Sequence, residues 1–213
     1  MLRAREGEEI TLCDGEGMDY QCRIASLERG VLLDILSKDV CETEPKTKIT
    51  LYQGLPKADK MELIIQKCVE LGVDRIVAVS TERAIVKLDK KETKKLERWQ
   101  KIAEAAAKQS GRGKIPEIGQ QVLKFKEAVA EAKELDGAII PYEREQETGI
   151  RQFVQNFKGE SVGVFIGPEG GFADEEIALA QENGITPITL GKRILRTETA
   201  GMTTTAILLY ELD

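Results

Sequence analysis

The chain has 213 residues, 41% hydrophobic and 32% charged, with a net charge of −6. That supplies the core of one domain or of a small and a medium one, and no apolar run approaches the ~20 residues a membrane-crossing helix needs. There is no histidine, which excludes Ser-His-Asp and Cys-His catalysis and leaves proton transfer to a carboxylate, Lys, Tyr, Cys or water.

The first residues, MLRAREGEEI, lack the apolar stretch of a signal peptide, so a cytoplasmic protein is expected. Cys13, Cys22, Cys41 and Cys68 are scattered without a C-x-x-C pair. Reduced thiols are therefore expected, and no metal site. Residues 9–13, 20–27 and 31–36 read as short strands, with Asp14-Gly15 and Arg29-Gly30 as turns. They suggest part of a small β-barrel over residues 1–44. The polar stretch from Lys38 to Lys48, with Pro45, reads as the linker.

From residue 48 to 213 the pattern becomes strand–helix alternation. A strand is expected at 49–53. Met61, Ile64, Ile65, Cys68 and Leu71 then share one helix face, and Gly72 stops the helix. Further strands fall at 75–80, 137–140, 161–166 and 187–190. Helices are expected over 91–110 and 125–134, from 173 onward and over 199–212, with Thr199 as the N-cap of the last. This order implies an α/β domain with a mainly parallel sheet. Between Arg83 and Lys114 there are eleven Lys and Arg against four Asp and Glu, a local excess of seven positive charges on an acidic chain. Such a window is either a phosphate footprint or a solvated lysine-rich helix.

Three strands end in unusual loops. Residues 141–144 read PYER, residues 166–172 read IGPEGGF, and residues 190–200 read LGKRILRTETA. Ligands of a parallel sheet sit beyond the carboxyl ends of its strands, and glycine exposes peptide groups there without a side chain in the way. A peptide-rich pocket suited to an adenine edge is expected, with Ile166, Leu190, Ile194 and Leu195 as apolar walls. Neither a Walker loop nor an early G-x-G-x-x-G is present.

GPEGGF at 167–172 with LGKRILRTETA at 190–200 resembles the SPOUT class of methyltransferases, and within it the RsmE-like 16S rRNA uracil-N3 methyltransferases. TERAIVK at 81–87, RWQKIAEAAAKQSGR at 98–112, IPEI at 115–118 and LRAREG at 2–7 extend the likeness over essentially the whole chain. The resemblance implies a trefoil knot at the C-terminus, S-adenosylmethionine as methyl donor and a homodimer. It also implies a PUA-like β-barrel that helps hold 16S rRNA or the assembling small subunit. Members of the family usually carry another strand and helix before the LRxRxG segment, so the barrel reads as clipped at its start. The cofactor set carried over is Pro141, Tyr142, Glu143, Ile166, Gly167, Pro168, Glu169, Gly170, Gly171, Leu190, Gly191, Ile194, Leu195, Arg196, Thr199 and Ala200. Arg196 and Glu198 are the catalytic candidates; a structural ion pair between them is the alternative. Glu169 either bonds the ligand or ties its own loop to a neighbouring N–H. Arg83, Arg98, Gln109 and Arg112 are the RNA candidates, because Arg grips phosphate through two N–H groups and Gln109 closes a helix. Trp99 is expected in packing. A SPOUT enzyme acting on another target, such as a tRNA ribose, and a non-catalytic RNA-binding dimer are the competing functions.

Overall fold

The computed structural model describes residues 4–84 and 92–213. The chain divides into two compact units, Met1–Glu44 with Ala107–Ile115, and Pro45–Ala106 with Pro116–Asp213.

The smaller unit is built on three antiparallel strands, β1 (Glu9–Cys13), β2 (Met18–Ser26) and β3 (Leu32–Val40), in that order. The Asp14 carboxylate closes the first turn by accepting the N–H groups of Glu16 and Met18, an Asx-type turn. β3 runs four residues past the expected end at Leu36. Tyr20 pairs with Lys38 and Met18 with Val40, and the Lys38 ammonium lies 5.2 Å from the centre of the Tyr20 ring. Cross-strand pairing thus carries a polar stretch that composition alone marks as linker. Residues 107–115, assigned from sequence to the larger domain, belong to this unit. The Cys13 thiol and the Gly17 N–H both donate to the Gly113 carbonyl, and the Thr43 hydroxyl donates to that of Gly111. Few side chains are fully buried here; Cys22, Ile24 and Cys41 are, while Cys13 is exposed.

The larger unit follows the order β4 (Lys48–Gly54), α1 (Lys60–Leu71), β5 (Arg75–Ser80), α2 (Glu92–Ser110), β6 (Glu117–Ile118), β7 (Leu123–Lys124), α3 (Phe125–Ala132), β8 (Gly137–Pro141), α4 (Ile150–Asn156), β9 (Ser161–Ile166), α5 (Asp174–Glu182), β10 (Thr186–Ile188) and α6 (Thr197–Leu212). The last turn of α2 belongs to the smaller unit. The strands form one sheet in the order β10-β8-β9-β4-β5-β6, with β7 also beside β5 and every pairing parallel. The central strands read as near-continuous apolar runs because helices cover both faces. Tyr52 of β4 stacks on Phe165 of β9 with ring centres 4.5 Å apart, and Phe125 meets that ring edge-on. α6 packs on α1, and Leu208 and Leu209 are buried. Cys68 of α1 is buried too, and desolvation pushes its thiol up to about 12.

Two further expectations change. β6, β7 and α4 are absent from the sequence reading. Two residues carry no period, and the α4 face buries no side chain fully. Thr199 does not cap α6; the cap position is Arg196, whose carbonyl accepts the Ala200 N–H at 2.8 Å. Lys87, Lys90 and Lys91, with Ile85 and Val86 of the 81–87 motif, lie outside the described residues.

Candidate functional site

Because β8, β9 and β10 run parallel, their carboxyl ends open on the same edge of the sheet, and the three loops that follow enclose a cavity of about 1020 Å³. Of the cofactor residues read from sequence, fifteen line it: Pro141, Tyr142 and Glu143 from the first loop, Ile166 to Gly171 from the second, and Leu190, Gly191, Ile194, Leu195, Arg196 and Ala200 from the third. Thr199 lies off the lining, exposed on the first turn of α6. Lys60, Glu145, Gln146, Phe172, Thr189, Lys192, Arg193 and Thr197 join the wall without having been expected there. Tyr142 and Arg144 are both tied to Asp174 at the start of α5, at 3.1 and 2.9 Å. These bonds hold the Asp174 carboxyl below its usual range, as a helix N-terminus also favours.

The glycine turn is held from below. A Cβ on Gly54, at the end of β4, would stand 2.7 Å from Pro168 Cδ and 2.8 Å from its backbone nitrogen. Only glycine lets the turn seat on the strand there. Beside it, the wholly buried Gln53 donates to the Gly54 carbonyl and to the Thr197 hydroxyl, each at 2.9 Å; Thr197 donates in turn to the Gly167 carbonyl at 2.6 Å. Gly191, in the third loop, has a φ of +103°, in the region that favours glycine.

Glu169, on the cavity wall, is tied to the start of α1. Its carboxylate accepts the Lys57 N–H at 3.2 Å and meets the Lys60 ammonium at 3.0 Å. Burial works against the charge, but the Lys60 bond and the backbone donors hold the carboxyl below its ordinary value. Glu198 reaches the same ammonium at 3.4 Å and lies off the cavity lining. The alternative Arg196–Glu198 pairing is thus replaced by two carboxylates on Lys60. Arg196 is exposed and on the wall.

The RNA candidates differ in kind. Arg83 is exposed, and its guanidinium donates to the Gly170 carbonyl at 3.3 Å. Arg98 is exposed on α2, bridged to Glu62 at 2.8 Å. Gln109 is exposed in the last turn of α2. Arg112 departs from expectation. Its side chain is only 5% exposed and grips the Glu44 carboxylate at 2.6 Å, so its guanidinium is committed within the smaller unit. Arg–carboxylate geometry favours such two-point pairing, and a buried guanidinium needs a counter-charge. Trp99 is buried, as expected.

An RNA methyltransferase domain family matches residues 43–209. Ribosomal RNA small subunit methyltransferase E of Bacillus subtilis (strain 168) is 34% identical over all of this chain and 86% of its own length. The chain belongs to this methyltransferase E family. Two solved structures extend the likeness to the family's fold. The ribosomal RNA small subunit methyltransferase E of Neisseria gonorrhoeae, bound to S-adenosyl methionine, is 35% identical. It superposes with a TM-score of 0.86 over 98% of this chain and 85% of its own. A methyltransferase of Legionella pneumophila, in complex with the same cofactor, is 37% identical with a TM-score of 0.84 over the same shares. The glycine loops lie late in the chain rather than after the first strand as in an ordinary dinucleotide fold.

Proposed function

We propose that this chain transfers a methyl group from S-adenosylmethionine to N3 of a uridine in 16S rRNA, in the cytoplasm, during assembly of the small subunit. We further read the C-terminal loops as a trefoil knot, the smaller unit as a PUA-like barrel, and the working form as a homodimer. The observation that carries the reading is the cavity itself: three loops from adjacent parallel strands, rich in glycine, in a chain whose relatives are rRNA methyltransferases.

The wall suits the donor. Ile166, Leu190 and Leu195 offer apolar surface to a purine, the glycine loops offer peptide N–H and C=O groups to its edge, and Glu143 and Glu145 bring negative charge towards a cationic ligand. When bound, S-adenosylmethionine supplies a methyl group made electrophilic by its sulfonium. The chain's task is then mainly to position the acceptor in line. A neutral imide nitrogen is a poor nucleophile, so its anion needs support. Arg196, an exposed cation on the wall, is the residue we assign to stabilise it. Arg83, beside the glycine turn, is suited to a phosphate or base entering the cavity. Leu208 and Leu209 turn inward, so the large apolar side chain that α6 leaves open to a partner protomer is Tyr210, 86% exposed. Exposed bases on α2 (Lys94, Lys95, Arg98 and Lys101) fit the phosphate footprint.

The test is methyl transfer to small-subunit rRNA, with the product nucleoside identified by mass and fragmentation. A base-methylated uridine that fragments as the N3 isomer is expected. A ribose-methylated product, or transfer to tRNA alone, would overturn the substrate assignment.

A further inference from the structure

Lys60 lies at the first position of α1, far in sequence from the glycine turn and from the last loop, yet it is bound to both. Its ammonium is 3.0 Å from Glu169 of the turn and 3.4 Å from Glu198 of α6, and its side chain is 30% exposed. Lys57, three residues earlier, donates its N–H to the same Glu169 carboxylate. Between them Ala58 has a φ of +52°, which non-glycine residues seldom adopt and which persists where the surroundings hold it. A second link runs in parallel through the interior, from Gln53 to Thr197 to the Gly167 carbonyl. Both links join the same two pieces of chain, the turn at 167–171 and the start of α6, whose cap position is Arg196.

We infer that Lys60 is a positioning residue that fastens the glycine turn to the start of α6, so that seating a ligand on the turn and holding Arg196 beside it become one event. The inference rests on the cofactor reading of the cavity. Without Lys60, Glu169 and Glu198 would face each other as like charges with no counter-ion between them. Lysine suits the task because a single ammonium carries three donors and can serve two carboxylates from different directions. An arginine can do the same through its fork.

Two measurements test this. The first uses the protein without cofactor and follows amide hydrogen exchange at two reporters, Gly171, which donates to the Pro168 carbonyl, and Ala200, which donates to that of Arg196. Lys60→Met is expected to speed exchange at both reporters about threefold, the scale of a partly exposed ion pair, and Lys60→Arg to restore most of the protection. The second follows S-adenosylhomocysteine binding by calorimetry. Glu198→Gln is expected to weaken binding about threefold in the natural protein and to weaken it no further once Lys60 is Met, where it removes one of two unpaired like charges and leaves binding equal or tighter. Faster exchange at one reporter alone would overturn the inference. So would a Glu198→Gln effect of equal size in both backgrounds. A natural protein that binds no S-adenosylhomocysteine would overturn the proposed function instead, and the exchange measurement would then decide the role of Lys60 by itself.

Discussion

The two units hold themselves together by different means. In the larger, buried apolar strands and stacked rings do most of the work; Ile49, Leu51, Ile64, Ile76, Val164, Ile139 and Leu208 are wholly buried. Each such side chain contributes about 1.5–3 kcal/mol by leaving water. In the smaller unit, β3 leaves Leu32, Ile35 and Val40 largely exposed, and few residues are fully buried. Named polar contacts take a larger share there: Arg112 on Glu44, Thr43 on Gly111, Cys13 on Gly113. The contrast teaches where single substitutions should be felt. A unit stabilised by many equivalent contacts absorbs the loss of one polar link, whereas a unit stitched by a few does not.

The strongest break of this comparison is Arg112→Ala. Removing one partner of a buried pair leaves Glu44 uncompensated, at an expected cost of about 3 kcal/mol to the smaller unit. Limited proteolysis should then cleave within residues 4–44 first, while S-adenosylhomocysteine binding persists. Cleavage spread evenly over both units would show that they are not separate in stability. The counterpart in the larger unit is Arg196→Ala. We expect methyl transfer to fall about a hundredfold with the melting temperature unchanged, the usual effect of losing one group that stabilises developing charge. A rate within a few-fold of the natural protein's would remove Arg196 from its assigned role. Gly54→Ala comes next. Its Cβ would stand 2.8 Å from the Pro168 nitrogen, so the turn must move, and cofactor affinity should drop about tenfold by calorimetry.

Acid should separate the units more gently. Burial alone would raise the Glu44 pKa, but Arg112 and the backbone donors around residues 113–114 outweigh it and hold the carboxyl below its usual 4.5. A carboxyl depressed in the folded state contributes stability that is complete above the unfolded value and is lost as pH falls through the folded one. The smaller unit should therefore loosen below about pH 4.5, read as faster proteolysis within residues 4–44 in acid. Glu44→Gln should flatten that dependence. The smallest effect is expected from Lys101→Ala, an exposed cation on α2. RNA affinity should fall about threefold or less, with the salt slope reduced by about one. An unchanged slope would make α2 an ordinary solvated helix.

Much of the larger unit was legible because its strands are uninterrupted apolar runs that end in loops with their own chemistry. Residues 75–80, 137–141 and 161–166 could be bounded within a residue or so by local pattern alone, and the three loops that follow β8, β9 and β10 line one cavity. What escaped were contacts between residues distant in sequence. Nothing near Lys60 announces Glu169 or Glu198, and nothing near Arg112 announces Glu44. Arg112 read as a basic residue in a basic window because burial is a property of the fold rather than of its neighbours in sequence. Thr197 was overlooked for a similar reason. It stands between Arg196 and Glu198, and its hydroxyl matters only because Gln53 and Gly167 come together around it.

The four thiols give this molecule a built-in clock of its own opening. Cys13 is exposed, Cys22 and Cys41 are buried in the smaller unit, and Cys68 is sealed in the larger one. Only a thiolate attacks an alkylating reagent, and an interior thiol must first be uncovered. Counting the mass increments added by iodoacetamide during slow denaturation would read out a sequence of events. One adduct marks the intact protein, three mark a molecule whose smaller unit has opened, and four mark complete unfolding.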